Sequence, residues 1–436
     1  MSDTISALSA LRVWDSRGNP TVEVTVTTAG GATGRAIAPA GASRGSREAL
    51  DLRDGGERLG GKDVRGAVAG VADQIAPALM GMDVTDQRGV DTALIQLDGT
   101  PMKARLGGNA MVATSLAVLH AAAAANGLPL WAHVARTQGR TPAIPLPEIQ
   151  IFGGGAHAAR RIDIQDFMVM VPGAADFAEV MDVTSEIYRA AGSLIAKKHG
   201  PVGVADEGGW WPVFDSNEEG LELLVRAIEL TGEKPGDRVV ISLDIAASEF
   251  GREGRYRLGL DDSEMDSGQL IEMLGRWIDS YPIASIEDPL GEDDTEGQIA
   301  FTQAYGDRVQ IIGDDYLVTN ADLLRKAAEQ GACNAVLIKV NQAGTVSEAM
   351  DTVAAAKAAG YRAVVSARSG ETEDVSITHL AAGLGSGQLK VGSITRSERM
   401  AKWNECLRLQ SAPGMGAFVK GAPLADTWWG RKGRTT

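Results

Sequence analysis

Val239-Val-Ile-Ser-Leu-Asp244, Ile283-Ala-Ser-Ile-Glu287, Val309-Gln-Ile-Ile-Gly-Asp314, Ala335-Val-Leu-Ile-Lys339, Ala363-Val-Val-Ser-Ala-Arg368 and Gln388-Leu-Lys390 are short apolar runs, each ending on a polar or charged side chain. From Glu287 onward the charged ends follow one another after 27, 25, 29 and 22 residues, the length of one strand-plus-helix unit. Amphipathic segments such as 320–330 and 345–359 fill the gaps, the second closed by Gly360 as a helix C-terminus. This cadence predicts a parallel (β/α) barrel, in which strand-end side chains meet on one face. The alternative is an open doubly wound sheet, but no glycine-rich nucleotide fingerprint follows the first strand to support it.

Upstream the pattern differs. Residues 5–38 alternate β-rich runs with turns at Arg17-Gly18-Asn19 and Gly30-Gly31, which predicts a β-meander. Helical spacing follows over 64–80, 85–97 and 109–126. The Pro-rich stretch Thr141-Pro-Ala-Ile-Pro-Leu-Pro147 reads as a linker, so the expected division is an N-terminal domain of residues 1–138 and a catalytic domain of 139–436. The most apolar stretch, Met111–Trp131, is Ala-rich and broken by polar residues, and it is expected to be a buried helix.

The chain has 436 residues, enough for two domains at roughly 100–200 residues each. Its 42 Lys and Arg against 57 Asp and Glu leave a net charge of −15, which argues against nucleic acid or an anionic membrane as the main partner. An anionic ligand must therefore meet a locally basic pocket. Cys333 and Cys406 are too few for a disulfide framework, and no signal peptide is apparent; a reducing cytoplasm is expected.

Asp244, Glu287 and Asp314 would converge at the mouth of such a barrel. Each alone could be a helix cap. Three carboxylates held together repel unless a cation neutralises them, and hard oxygen ligands suit Mg²⁺. Lys339 beside that cation would be pushed toward its neutral, basic form; it could instead be an ion-pair partner of the acids. Arg368, Ser369 and Lys390 at the next strand ends supply donors and positive charge for a phosphate and a carboxylate. Ala205-Asp-Glu-Gly-Gly-Trp210 reads equally as a turn, or as the seat of a general acid, Glu207, facing the base.

These residues lie in longer motifs: VWDSRGNPTVEV (13–24), SREALDLRDG (46–55), GGGAHAARRIDIQDFM (153–168), ADEGG (205–209), SLDIAASEF (242–250), SIEDPL (285–290), GDDYLVTN (313–320), LIKVNQAGT (337–345), RSGETED (368–374) and TRSER (395–399). Together they closely resemble the enolase family over residues 5 to about 410. The resemblance implies an α/β protein with a small N-terminal α+β domain on a C-terminal (β/α)₈-type barrel, Mg²⁺ dependence, a second Mg²⁺ bound with the substrate, and a homodimer or higher homo-oligomer. It also implies Mg²⁺ ligands at Asp244, Glu287 and Asp314, a base at Lys339, an acid at Glu207 and a further catalytic carboxylate at Asp166. Substrate would be bound by Arg368, Ser369, Lys390, Ser43 and His157, the last on a mobile loop. A Lys base working with Mg²⁺ is a known pairing in this superfamily. Its logic is that a proton α to a carboxylate is weakly acidic, and divalent cations stabilise the charge that builds up when it leaves. Glu207 would protonate the departing β-hydroxyl.

The chain departs from the family at the substrate. The closing loop, Ser-Gly-Ala-Ser-Thr-Gly in ordinary enolases, is Ala40-Gly-Ala-Ser-Arg44-Gly45. The His before the Arg-Ser pair is Ala367, the Glu of Gln-Glu-Phe is Asp166, and the Asn before Gly-Gly is replaced by Gly153 or Phe152. An added Arg and a lost His point to a phosphoryl group carrying a further anionic substituent. The expected substrate is a carboxyphosphono analogue of 2-phosphoglycerate, giving carboxyphosphonoenolpyruvate as in the phosphinothricin-type branch of antibiotic and phosphonate biosynthesis. The alternatives are ordinary 2-phosphoglycerate dehydration, an enolase-like binding protein without catalysis, and an Arg44 that merely pairs with Asp51 or Asp54.

Overall fold

The structure, a computed structural model, describes residues 3–260 and 262–432. Strands β1 (Ile5–Trp14), β2 (Pro20–Thr28) and β3 (Thr33–Ile37) form an antiparallel meander in sequence order. Helix Gly108–Ala125 packs across β2 and β3. It is long and apolar enough to cross a membrane, but 83% of it is buried in the protein, as its high Ala content allows. The helical segment expected over 64–80 is interrupted: Arg65–Gly70 and Ala76–Leu79 are α-helical, and Val71–Ile75 is a π-turn. Helix Leu130–Gln138 ends on Gly139 in the left-handed conformation, and the first barrel strand starts at Leu146.

The barrel strands are β4 (Leu146–Gly153), β5 (Asp166–Met170) and β6 (Val240–Asp244). A small outer sheet, β7 (Gly251–Arg252), β8 (Arg255–Leu258) and β9 (Ser263–Asp266), interrupts the series. The barrel resumes with β10 (Ile283–Glu287), β11 (Gln310–Gly313), β12 (Ala335–Ile338), β13 (Arg362–Ser366) and β14 (Gly387–Gly392). It closes through β14 beside β4. Helices between strands start on side-chain caps, among them Asp176, Ser216, Asn320 and Thr345, whose oxygens accept otherwise orphaned backbone N–H groups.

A wholly parallel barrel is not what forms. β5 runs antiparallel to both β4 and β6. Residues 154–165 contain no α-helix, so no crossover returns the chain to the bottom of the barrel before β5 begins. The reversal has a chemical consequence: Asp166, the first residue of β5, pairs with Gly153 and Asp244, both at strand C-termini. It therefore reaches the same rim as the other site residues.

Alternate residues of a strand share a face, so positions two before the site residues form the layer beneath them. That layer is polar. Glu148 accepts from Ser242 (2.7 Å) and Gln388 (2.9 Å), and the Gln310 amide joins Gln388 (2.7 Å) to Ser285 (3.1 Å). Burial pushes the Glu148 carboxyl upward, opposed in part by the Ser242 hydrogen bond.

Candidate active site

Asp244 ends β6, Glu287 ends β10, and the two are register partners. Asp314 follows β11 and Lys339 follows β12. All four are buried. Lys390 on β14 sits among the acids, with its Nζ 2.8 Å from Asp244, 2.9 Å from Glu287 and 3.2 Å from Asp166. Burial pulls this ammonium down, but Asp244 and then Glu287 outweigh it and leave it well above the ordinary lysine value. Lys390 therefore joins the carboxylates into one network.

Of the two readings of Lys339, the structure shows the ion-pair partner. Its Nζ lies 2.5 Å from Asp314, and although burial favours the neutral amine, that partner holds it above its ordinary value. In this arrangement it is an ammonium. Asp314 is also held by Gln342 (2.8 Å). Asp288, in the left-handed region at φ 41°, accepts the backbone N–H groups of Asp314 (2.8 Å) and Asp315 (2.7 Å). Among the described residues, Asp288, Asp314 and Asp315 each bring an oxygen within 4.8 Å of the others. Asp314 is thus gathered more closely with Asp288 and Asp315 than with Asp244 and Glu287.

Does this donor set fit a divalent cation? Glu287 Oε1 is buried and has no hydrogen-bond partner. Burial first, then Asp244 and Asp314, push that carboxyl well above its usual range. A buried oxygen without a donor, in a carboxylate cluster that Lys390 and Lys339 neutralise only in part, is what a hard cation with oxygen ligands would satisfy. The residues present fit Mg²⁺.

The acid side is assembled from three segments. His157, on the turn after β4, places Nδ1 3.4 Å from Asp166 and Nε2 3.9 Å from Glu207. Burial opposes a charge on His157, but Glu207 and Asp166 raise its pKa above the ordinary value. Asp166 is held below the carboxylate range: burial works the other way, and Lys390 and His157 prevail.

On the opposite side, the loop from the N-terminal domain lies over Arg368 and Ser369. Ala40 and Gly370 exchange backbone hydrogen bonds, Ala42 N–H donates to Ser369 Oγ (2.7 Å), and Arg368 donates to the Ser43 carbonyl (3.0 Å). A Cβ on Gly41 would overlap the Arg368 guanidinium, so glycine permits this approach. The enclosed cavity is reduced to about 10 Å³, roughly one water. It is lined on its several sides by Ser43, His157, Glu207, Lys339, Arg368 and Lys390, with Ala367 and Ser369 beside Arg368.

Arg44 is not in this cavity. Its side chain is exposed and donates to the Ala49 carbonyl (3.1 Å). Nor does it pair with Asp51, which binds Arg53 at 2.8 Å, or with Asp54, which caps the N–H groups of Arg65 and Gly66. The physical reason is the path of the chain: Ser43 and Gly45 are buried against the barrel, and the residue between them points outward.

Several residues that matter here were not singled out by the sequence. Glu48 forks onto Arg368 (2.9 and 3.2 Å) and accepts from Gln342 (3.2 Å). Asn341 also accepts from Arg368 (3.0 Å). Arg17 reaches from the N-terminal domain to Ser369 Oγ (3.4 Å) and the Ala40 carbonyl (3.0 Å). Both Glu48 and Arg17 lie inside the motifs 46–55 and 13–24, which were the available signal.

Comparison with known proteins agrees with this geometry. Residues 5–134 match the family model "Enolase, N-terminal domain", and residues 141–427 match "Enolase, C-terminal TIM barrel domain". Enolase 1 of Desulfitobacterium hafniense (strain Y51) is 48% identical over 416 residues, covering 95% of each chain. With those matches come Mg²⁺ dependence and carbon–oxygen hydro-lyase chemistry of the enolase type. Two domain families matched in order, and close identity over nearly the whole length, establish that this chain belongs to the enolase family.

Proposed function

We propose that the chain removes the α-proton of a 2-phosphoglycerate-type acid and expels its β-hydroxyl as water, with 2-phosphoglycerate itself the substrate and phosphoenolpyruvate the product. The observation carrying this reading is that Lys339, Glu207 and the cationic pair Arg368 and Lys390 line one small cavity. Arg368 and Ser369 offer a guanidinium and a hydroxyl to a phosphoryl group. Lys339 takes the α-proton once Asp314's charge is engaged elsewhere, and Glu207 delivers a proton to the leaving hydroxyl. Mg²⁺ held by Asp244, Glu287 and Asp314 would supply positive charge to the substrate carboxylate as it gains electrons. Substrate entry requires the 40–45 loop to withdraw, because the closed cavity admits no molecule of this size. The name of the Desulfitobacterium relative supports the same reading.

One observation favours a second substrate. Ala367 lines the cavity next to Arg368, and a methyl there, smaller than the imidazole of ordinary enolases, supports a bulkier phosphoryl substituent such as that of the carboxyphosphono analogue. That reading no longer draws on Arg44. Ultraviolet absorbance of the enolpyruvate product, followed with both compounds side by side, separates the two. Turnover of 2-phosphoglycerate alone, abolished by chelator, is the expected result. Preference for the carboxyphosphono compound, reversed by Ala367→His, would establish the second. Absence of turnover with either would leave only a binding protein and overturn both.

We infer further that the protein is a homodimer, in which a second copy covers Leu11 and Trp14, 60% and 50% exposed on the outer strand β1. A solution mass of one 45.6 kDa chain would refute this. The free thiols Cys333 and Cys406 are in keeping with a reducing cytoplasm.

A further inference from the structure

The general acid is carried on a turn, Ala205–Trp210, and a turn does not hold a side chain within catalytic tolerance unless something fixes it. Two backbone hydrogen bonds dock this turn on the end of β4, from Trp210 N–H to the Ile151 carbonyl (2.8 Å) and from Gly153 N–H to the Trp210 carbonyl (3.0 Å). Tyr188 and Thr395 donate to the Gly208 carbonyl (2.9 and 2.6 Å), and the Glu207 carbonyl accepts from Ser393 (2.9 Å). Among the described residues, one side chain hydrogen-bonds both to the backbone of this turn and to a catalytic carboxylate. Gln150, wholly buried on β4, donates its amide N–H to Asp166 Oδ1 and accepts the Gly209 N–H with its amide oxygen (2.8 Å).

Both ends of that amide are chemically determined. A carboxylate oxygen can only accept and a backbone N–H can only donate, so the amide has one satisfactory orientation. Glycine at 209 is required for the approach, since a Cβ there would overlap the Gln150 amide. We propose that Gln150 is a positioning residue: through one amide it fixes the distance between Asp166 and the turn bearing Glu207, and so sets the efficiency of proton delivery to the leaving group. It touches no substrate atom; it acts through Asp166 and Gly209. His157 spans the same two carboxylates from the other side, so loss of the amide leaves its 3.9 Å contact with Glu207 as the side-chain link between the turn and Asp166.

The inference rests on the reading of Glu207 as the acid, and the test keeps the two apart. Gln150→Met preserves length and removes both hydrogen bonds. The measured quantities are exchange of the substrate α-proton with solvent deuterium, which reports Lys339, and formation of the enolpyruvate, which also needs the acid. The expected result is a fall in kcat for elimination of about tenfold to a hundredfold. KM and α-proton exchange stay within about threefold. Gly209→Ala, which displaces the same amide from the opposite side, is expected to give the same selective loss and serves should Gln150→Met fold poorly. Parallel loss of exchange and elimination, or no loss of either, overturns the proposal. Wild-type protein that performs neither reaction overturns the reading of Glu207, and the proposal with it.

Discussion

The two walls of the cavity are built by different means. On one wall Asp244, Lys339 and Lys390 line the cavity and join Asp166, Glu287 and Asp314 in one network, all of them at the ends of barrel strands, where the hydrogen-bonded ladder fixes neighbours such as Asp244, Glu287 and Asp166 relative to one another. The other wall is a loop of the N-terminal domain, residues 40–48, held by contacts that reach across to the barrel: Ala40 with Gly370, Ala42 with Ser369, and Glu48 with Arg368. A strand-end side chain inherits its position from register, so the spacing of charged residues along the chain suffices to locate it. A loop side chain takes its position from partners hundreds of residues away, and spacing says nothing about them.

Variants at the two walls should therefore fail differently. The largest effect is expected at Glu287→Gln. This variant keeps the volume but removes the charge of a proposed Mg²⁺ ligand, and a loss of several kcal/mol of charge stabilisation corresponds to roughly a thousandfold or more in kcat. Restored activity at high Mg²⁺ would show that Glu287 contributes affinity alone.

An intermediate effect is expected at Glu48→Ala, which leaves the buried Arg368 guanidinium without its carboxylate. Breaking such a pair costs about 3–5 kcal/mol, read as a lowered melting temperature. Phosphoryl binding should also weaken as the loop loses its anchor. Unchanged stability would mean that solvent or Asn341 compensates, and the contrast between the walls would lose its energetic basis.

The smallest effect is expected at Arg44→Thr. The side chain is exposed and spends one hydrogen bond on the Ala49 carbonyl, so kcat and KM should stay within about twofold. A specific loss with an enlarged phosphoryl substituent would place the guanidinium in the site after all, in an arrangement of the loop different from this one.

The same division explains what the sequence disclosed. Repeated apolar runs ending in charge located the barrel and nearly every strand-end residue, because period and topology are sequence properties. The reversal of β5 was not legible: it depends on residues 154–165 lacking a crossover helix, and a short strand reads alike in either direction. Arg44 was misplaced because its type argued for an anion while its direction depended on the burial of Ser43 and Gly45 on either side. Gln150 and Glu148 were passed over because no strand was read between the Pro-rich stretch 141–147 and the motif at 153–168, where the structure has β4 with a polar face beneath the site. The state of Lys339 was left open between a neutral base and an ion-pair partner of the acids, because its pairing with Asp314 is a matter of ångströms.

The central claim is that Lys339 and Glu207 divide one elimination between them, and deuterium exchange at the substrate α-carbon tests it most directly. With Mg²⁺ and 2-phosphoglycerate in D₂O, wild-type protein should exchange the α-proton and form enolpyruvate, Glu207→Gln should exchange without eliminating, and Lys339→Ala should do neither. Exchange by Lys339→Ala at the wild-type rate would contradict the account, because another group would then be the base.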